Sequence, residues 1–269
     1  MEHPTRSAGP LGRLHGWLTR RPSYMLLNCT NERLAAERPG RFRYAWAGLT
    51  ALSLGWGVVW VALWSGAWAL VREPGTLFAP AAVTLAVMLL WPYRRAAGAV
   101  ADLLAGEDPA GRSAASAALA AALALCLLAL HTNLYHSENI LPPSLSWIRP
   151  AAEAPRVLLL MPSWGGWAML IGTQFARPNK RTPAYITRFA RGCGPLPAVL
   201  CMALPAGLSA LYFHFMGGRE LIIIGVSAMS GVLAVPLLAW RTGGLSRRAL
   251  LAANLVTQFA FVLSYLAVR

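Results

Sequence analysis

Charge is scarce in this sequence. Only 13% of its 269 residues are Asp, Glu, Lys or Arg, against roughly a quarter in a soluble domain. Hydrophobic residues make up 57%, so too few polar side chains remain to cover a water-facing surface. That excludes an ordinary soluble domain and leaves lipid as the covering phase. Acids are scarcest, at ten against 24 Lys and Arg. The four cysteines, Cys29, Cys126, Cys193 and Cys201, form no C-x-x-C, which excludes a zinc or dithiol motif. Cys126 and Cys201 sit inside apolar runs and read as small core residues. A Walker motif, a nucleophile elbow and a Gly-rich dinucleotide loop are also missing. The first 43 residues hold no apolar run long enough for a signal peptide.

What the chain has instead is long hydrophobic runs. A spanning helix needs about 20 apolar residues. Seven runs approach that length, at 44–71, 76–93, 114–135, 157–176, 195–216, 220–240 and 249–267. The second is short and the third opens on an alanine-rich stretch. The expected fold class is therefore all-α, a polytopic membrane bundle of about seven helices. The gaps between runs differ sharply in Lys and Arg. Counting the segment before the first run, alternate gaps hold 19 of the 24, and the others hold five. The positive-inside rule then places the N-terminus in the cytoplasm and the C-terminus outside, in a bacterial inner membrane. The formal charge of +14 is spread over many short loops rather than gathered on one domain, which excludes a nucleic-acid partner. The bilayer is the expected partner.

Two regions follow. Residues 1–43 form a basic cytoplasmic segment with eight arginines. Within it, residues 11–21 place Leu11, Leu14, Trp17 and Leu18 on one helical face, a pattern that suits an interfacial helix; a basic tail is the plainer alternative. Residues 44–269 form the membrane domain.

No acid lies in the interior of a run, and the histidines inside runs are His131, near the end of the third, and His214, near the end of the fifth. Ion-coupled transporters use intramembrane carboxylates, so a proton-coupled transporter is disfavoured. The one acidic cluster on the cytoplasmic side outside the N-terminal segment is Asp102, Glu107 and Asp108. Carboxylates that converge can hold Mg²⁺, and these three are the candidate metal ligands; a solvated turn at Asp108-Pro109 is the alternative. On the other side, His131, His136 and Glu138 match no metal spacing. Trp56, Trp60, Trp64 and Trp68 recur every four residues, along one helix face. Such a stripe serves either packing or a groove for an isoprenoid. Pro162 and the Gly165–Gly166 pair mark a weakened helix with close backbone approach.

Three stretches together resemble the cobalamin synthases, the adenosylcobinamide-GDP ribazoletransferases of the bacterial inner membrane. RVLLLMPSWGGWAMLIGTQFARP (156–178) is similar to the family segment ending in R-W-A-M and Y-A-R-P. WRTGGLSRRALLAANLVTQ (240–258) is similar to its G-G-x-T-G-D-x-L-G-A-x-x-E-x-x-E. ADLLAGEDPAGR (101–112) stands where the family closes its D-G-L-A-D-T-x-D-G-L motif. The UbiA-type prenyltransferases fit less well, because N-x-x-x-D-x-x-x-D is missing. The departures are systematic. Of three family aspartates only Asp102 matches, with Arg95 and Ala99 at the other two positions. Gly166 replaces the arginine of R-W-A-M, Arg247–Arg248 replace G-D, and Leu255 and Gln258 replace the glutamates.

The resemblance implies a membrane transferase that joins a nucleotide-activated corrinoid to a ribazole at a diphosphate, with metal ions neutralising phosphate oxygens. With most acids gone, the first expectation is a divergent member with lost or altered transferase chemistry. Such a protein would bind a corrinoid or isoprenoid-like ligand or a membrane protein partner. The second is an active enzyme with a remodelled Mg²⁺ site at Asp102, Glu107 and Asp108, and with Arg177, Arg247 and Arg248 on phosphate. The third, from the helix count alone, is a small-solute permease.

Overall fold

The computed structural model describes residue 42 and residues 44–70, 79–90, 93–106, 108–132, 153–176 and 178–269. The basic segment before residue 42, Cys29, the loop with His136 and Glu138, and the residues Glu107 and Arg177 lie outside them, as do the side chains of Trp68 and His131. Among the described residues every regular element is helical. They are α1 (Ala45–Leu70), α2 (Ala79–Leu90), α3 (Arg94–Ala105), α4 (Pro109–Thr132), α5 (Glu153–Phe175), α6 (Ala184–Cys193), α7 (Pro195–Leu200), α8 (Ala203–Phe213), α9 (Glu220–Arg241) and α10 (Arg247–Val268).

Five stretches are long and apolar enough to cross a membrane: Ala45–Ala67, Pro109–Leu130, Pro195–Phe213, Glu220–Arg241 and Arg247–Val268. Ala79–Leu90 is a shorter apolar helix. The chain is a multi-pass helical membrane protein. The predicted second run corresponds to α2 over Ala79–Leu90, and the helix after it, α3, has the sequence RRAAGAVADLLA and is no longer apolar all round. The predicted fifth run divides at Cys201–Met202 into α7 and α8.

α5 is the hub. It packs most extensively against α1, α9 and α10, and nearly all of its residues from Ala154 to Thr173 are buried. Its small residues explain how one helix meets so many neighbours. A Cβ on Gly166 would run into Ser53 Oγ of α1, and one on Gly165 would lie 2.7 Å from Gln258 Nε2 and 2.8 Å from the Asn254 carbonyl of α10. The glycine pair therefore lets two helices approach α5 at one level. The approach is reciprocal, since Gly57 of α1 faces the Leu159 carbonyl and Gly231 of α9 faces the Trp167 ring. Without a hydrophobic drive between helices in lipid, such close contact is what holds a bundle together. The indoles of α5 are satisfied as well. Trp164 Nε1 donates to Ser209 Oγ at 3.1 Å and Trp167 Nε1 to the Ala198 carbonyl at 2.9 Å, which fixes α8 and α7.

Three of the four stripe tryptophans of α1, Trp56, Trp60 and Trp64, pack into the bundle. Trp60 and Trp64 are buried. Trp56 stacks on Trp60 with centroids 5.3 Å apart, and Trp60 meets Tyr93 at 5.8 Å.

Contacts between named residues give the helix directions. Ser53 lies by Gly166 and Gly57 by Leu159, so α1 and α5 are antiparallel. Met169 meets Asn254 while Gly165 meets Gln258, so α5 and α10 are antiparallel too. The end of α3, the start of α4 and the turns at 178–183 and 242–246 therefore gather at one end, where most of the described arginines lie. The turn at 214–219 and the close of α10 share the opposite end, where Arg219 Nη1 donates to the Val268 carbonyl at 3.3 Å.

Candidate functional site

At the basic end the turns are built around side chains that cap and tie. Asp108 precedes Pro109, the first residue of α4, and its two carboxylate oxygens accept from Ala110 N at 3.1 Å and Gly111 N at 2.8 Å. An acid here satisfies orphan helix donors and suits the positive end of the helix dipole. Ser246 does the same for α10, accepting from Ala249 N at 3.2 Å. Asn179 joins two turns. Its Nδ2 donates to the Gly243 carbonyl at 2.8 Å, and its Oδ1 accepts from Arg181 N at 2.9 Å. Gly243 and Gly244 have φ of 72° and 153°, and a Cβ on Gly244 would lie 2.6 Å from Asn179 Nδ2. Both glycines are thus required by the turn.

Asp102 sits one turn before the end of α3. One carboxylate oxygen lies 2.7 Å from Arg112 Nε of α4, and the other 3.7 Å from Arg248 Nε of α10. The structure therefore brings together Asp102 and Arg248, two residues singled out from sequence, and adds Arg112. Arg247 is buried beside them. It faces Tyr185 of α6, outside the membrane-crossing helices. Burial pushes the Tyr185 phenol above its ordinary range and the Arg247 charge pulls it partly back.

Asp102 and Asp108, two of the three candidate metal ligands, are both engaged by the protein's own groups. A hard cation needs around six oxygen ligands with several carboxylates among them. Both oxygens of Asp102 face guanidinium groups, and both oxygens of Asp108 hold the start of α4. Among the described residues no three His, Cys, Asp or Glu side chains group as ligands. Glu107 and Arg177 lie outside the described residues.

A second polar group lies inside the bundle. The Tyr93 hydroxyl donates to Gln258 Oε1, Gln258 Nε2 donates to Asn254 Oδ1, and Asn254 Nδ2 reaches Met169 Sδ at 3.4 Å. All four residues are buried. The network is neutral, and it ties the start of α3 to α10 and α5. Sequence reasoning did not find it, because Tyr93 and Gln258 are far apart in the chain. The i, i+4 spacing of Asn254 and Gln258 inside an apolar run was its one visible trace.

No protein-family model, curated protein or solved structure matches the chain.

Proposed function

We propose that this protein is a seven-crossing inner-membrane protein that shares the layout of the cobalamin synthases without their metal-dependent transfer. The observation that carries the reading is the environment of Asp102. The one acid retained from the family motif is an ion-pair partner of Arg112 and Arg248, where a metal-binding carboxylate would need its lone pairs free. Two departures from the family motifs have the same physical sense. Ser53 fills the space that a side chain at Gly166 would need. Gln258 works as a neutral amide between Tyr93 and Asn254, where a glutamate would place a charge at high cost.

The seven crossings are α1, α2 with α3, α4, α5, α7 with α8, α9 and α10. α5 need not be strongly apolar, because its neighbours shield it from lipid. The arginine-bearing turns share one end, which supports a cytoplasmic basic end, a cytoplasmic start to α1 and an outer C-terminus. The filled bundle centre around α5 favours this reading over a permease.

Labelling in spheroplasts tests the topology. In a background without native cysteines, Lys180→Cys should resist an impermeant maleimide and His214→Cys should react. The reverse result would invert the orientation, and reaction of both would break the span count. Magnesium-supported formation of corrinoid product by the purified protein would overturn the loss of transfer.

A further inference from the structure

Among the described residues, cations outnumber acids at the basic end. Among the described residues of its turns and flanking helix ends are Arg112, Lys180, Arg181, Arg188, Arg191, Arg241, Arg247 and Arg248, against Asp102 and Asp108. Both acids are already engaged, one with guanidinium groups and one as a helix cap. Lys180, Arg181 and Arg241 are exposed and belong to two turns that meet through Asn179 and Gly243. That junction is rigid. Asn179 ties it through the Gly243 carbonyl at 2.8 Å, Thr242 Oγ1 closes on the Gly244 carbonyl at 3.0 Å, and Arg181 Nη1 lies 3.3 Å from where a Gly243 Cβ would stand. The backbone that carries these cations is therefore already ordered when an anion arrives.

The neighbouring apolar side chains identify the kind of anion. Trp240, next to Arg241, is 84% exposed, and Phe175, on the last turn of α5, is 58% exposed. Tryptophans at the ends of spanning helices are enriched at headgroup depth, and Trp240 stands in the last turn of α9. Arginines beside them are then level with lipid phosphates. A free anion from the aqueous phase would not need the tryptophan.

We propose that the junction of the 179–182 and 241–244 turns is a binding site for the headgroup of an anionic phospholipid. Lys180, Arg181 and Arg241 contact its phosphate, and Trp240 lies along its glycerol and upper acyl chain. This rests on the membrane-spanning reading above and adds the charge class of the lipid. The interaction is electrostatic at an aqueous boundary, so salt weakens it.

The test uses the full chain in nanodiscs of phosphatidylcholine with graded phosphatidylglycerol, and counts lipid retained on gentle extraction. Phosphatidylglycerol should be enriched over its bulk fraction, and enrichment should fall as salt rises. Arg181→Gln and Arg241→Gln should each lower it by about fivefold. Arg219→Gln, at the opposite end, should leave it unchanged and so controls for general charge loss. Equal retention of both lipids by protein that has inserted would overturn the lipid site while leaving the membrane reading intact. Failure to enter the nanodisc at all would overturn both. Inorganic phosphate that competes fully at matched ionic strength would also overturn the proposal, since it would make the site one for a soluble anion.

Discussion

Arg248 Nε of α10 lies 3.7 Å from one carboxylate oxygen of Asp102 on α3, while Arg112 holds the other at 2.7 Å. Three helix ends are thereby fastened to one acid. The side chain of Asp102 is 22% exposed, that of Arg112 50% and that of Arg248 70%, so solvent screens the arginine side of each pair. Pairs of this kind contribute at most about 1 kcal/mol.

Arg112→Gln should therefore lower the melting temperature in detergent by a few degrees, and Arg248→Gln by less, in keeping with the longer distance. Asp102→Asn should cost no more than the two arginine changes combined. A fall of ten degrees or more for Arg248→Gln alone would contradict the screened geometry.

Gly166→Ala should cost about 1–3 kcal/mol of stability, because its Cβ would strike Ser53 Oγ. Ser53→Gly in the same chain should relieve part of that cost, although glycine within a helix carries its own penalty of about 1 kcal/mol. Chemical denaturation of the four proteins of the cycle decides the matter. Additive effects would mean that the two helices do not meet at this level.

Tyr93→Phe leaves Gln258 Oε1 without its donor, and Gln258→Leu leaves the Tyr93 hydroxyl without its acceptor. Each should destabilise by about 1 kcal/mol, the usual scale for polar contacts between helices in a bilayer. The double variant should cost less than the sum, since it strands neither group. A sum that is fully additive would place the two side chains out of contact.

Much of this fold was legible in the sequence because hydropathy and arginine placement act over whole helices. The run at 249–267 corresponds to α10 and the run at 220–240 to α9 within two residues at each end. The breaks were harder to see. α3 starts at Arg94–Arg95, which read in sequence as the end of an apolar run rather than as the start of a helix. Asp108-Pro109 was legible as a turn; that the acid also caps the helix starting at Pro109 went unread, although an acid before a proline at a helix start is a signal for it. The pairing of Asp102 with Arg112 and Arg248 is a product of tertiary packing, and no spacing rule connects residues on three helices. Burial of Gln258 against Tyr93 is invisible for the same reason.

The most direct test is a transfer assay on detergent-solubilised protein shown to be folded by a cooperative melt. It would contain adenosylcobinamide-GDP, α-ribazole phosphate and Mg²⁺, with chromatography of the corrinoids. The ion-paired state of Asp102 predicts no product above the protein-free control and no shift of the melt with Mg²⁺. Product that requires Mg²⁺ and disappears in Asp102→Ala would contradict it, and would make Asp102 a metal ligand.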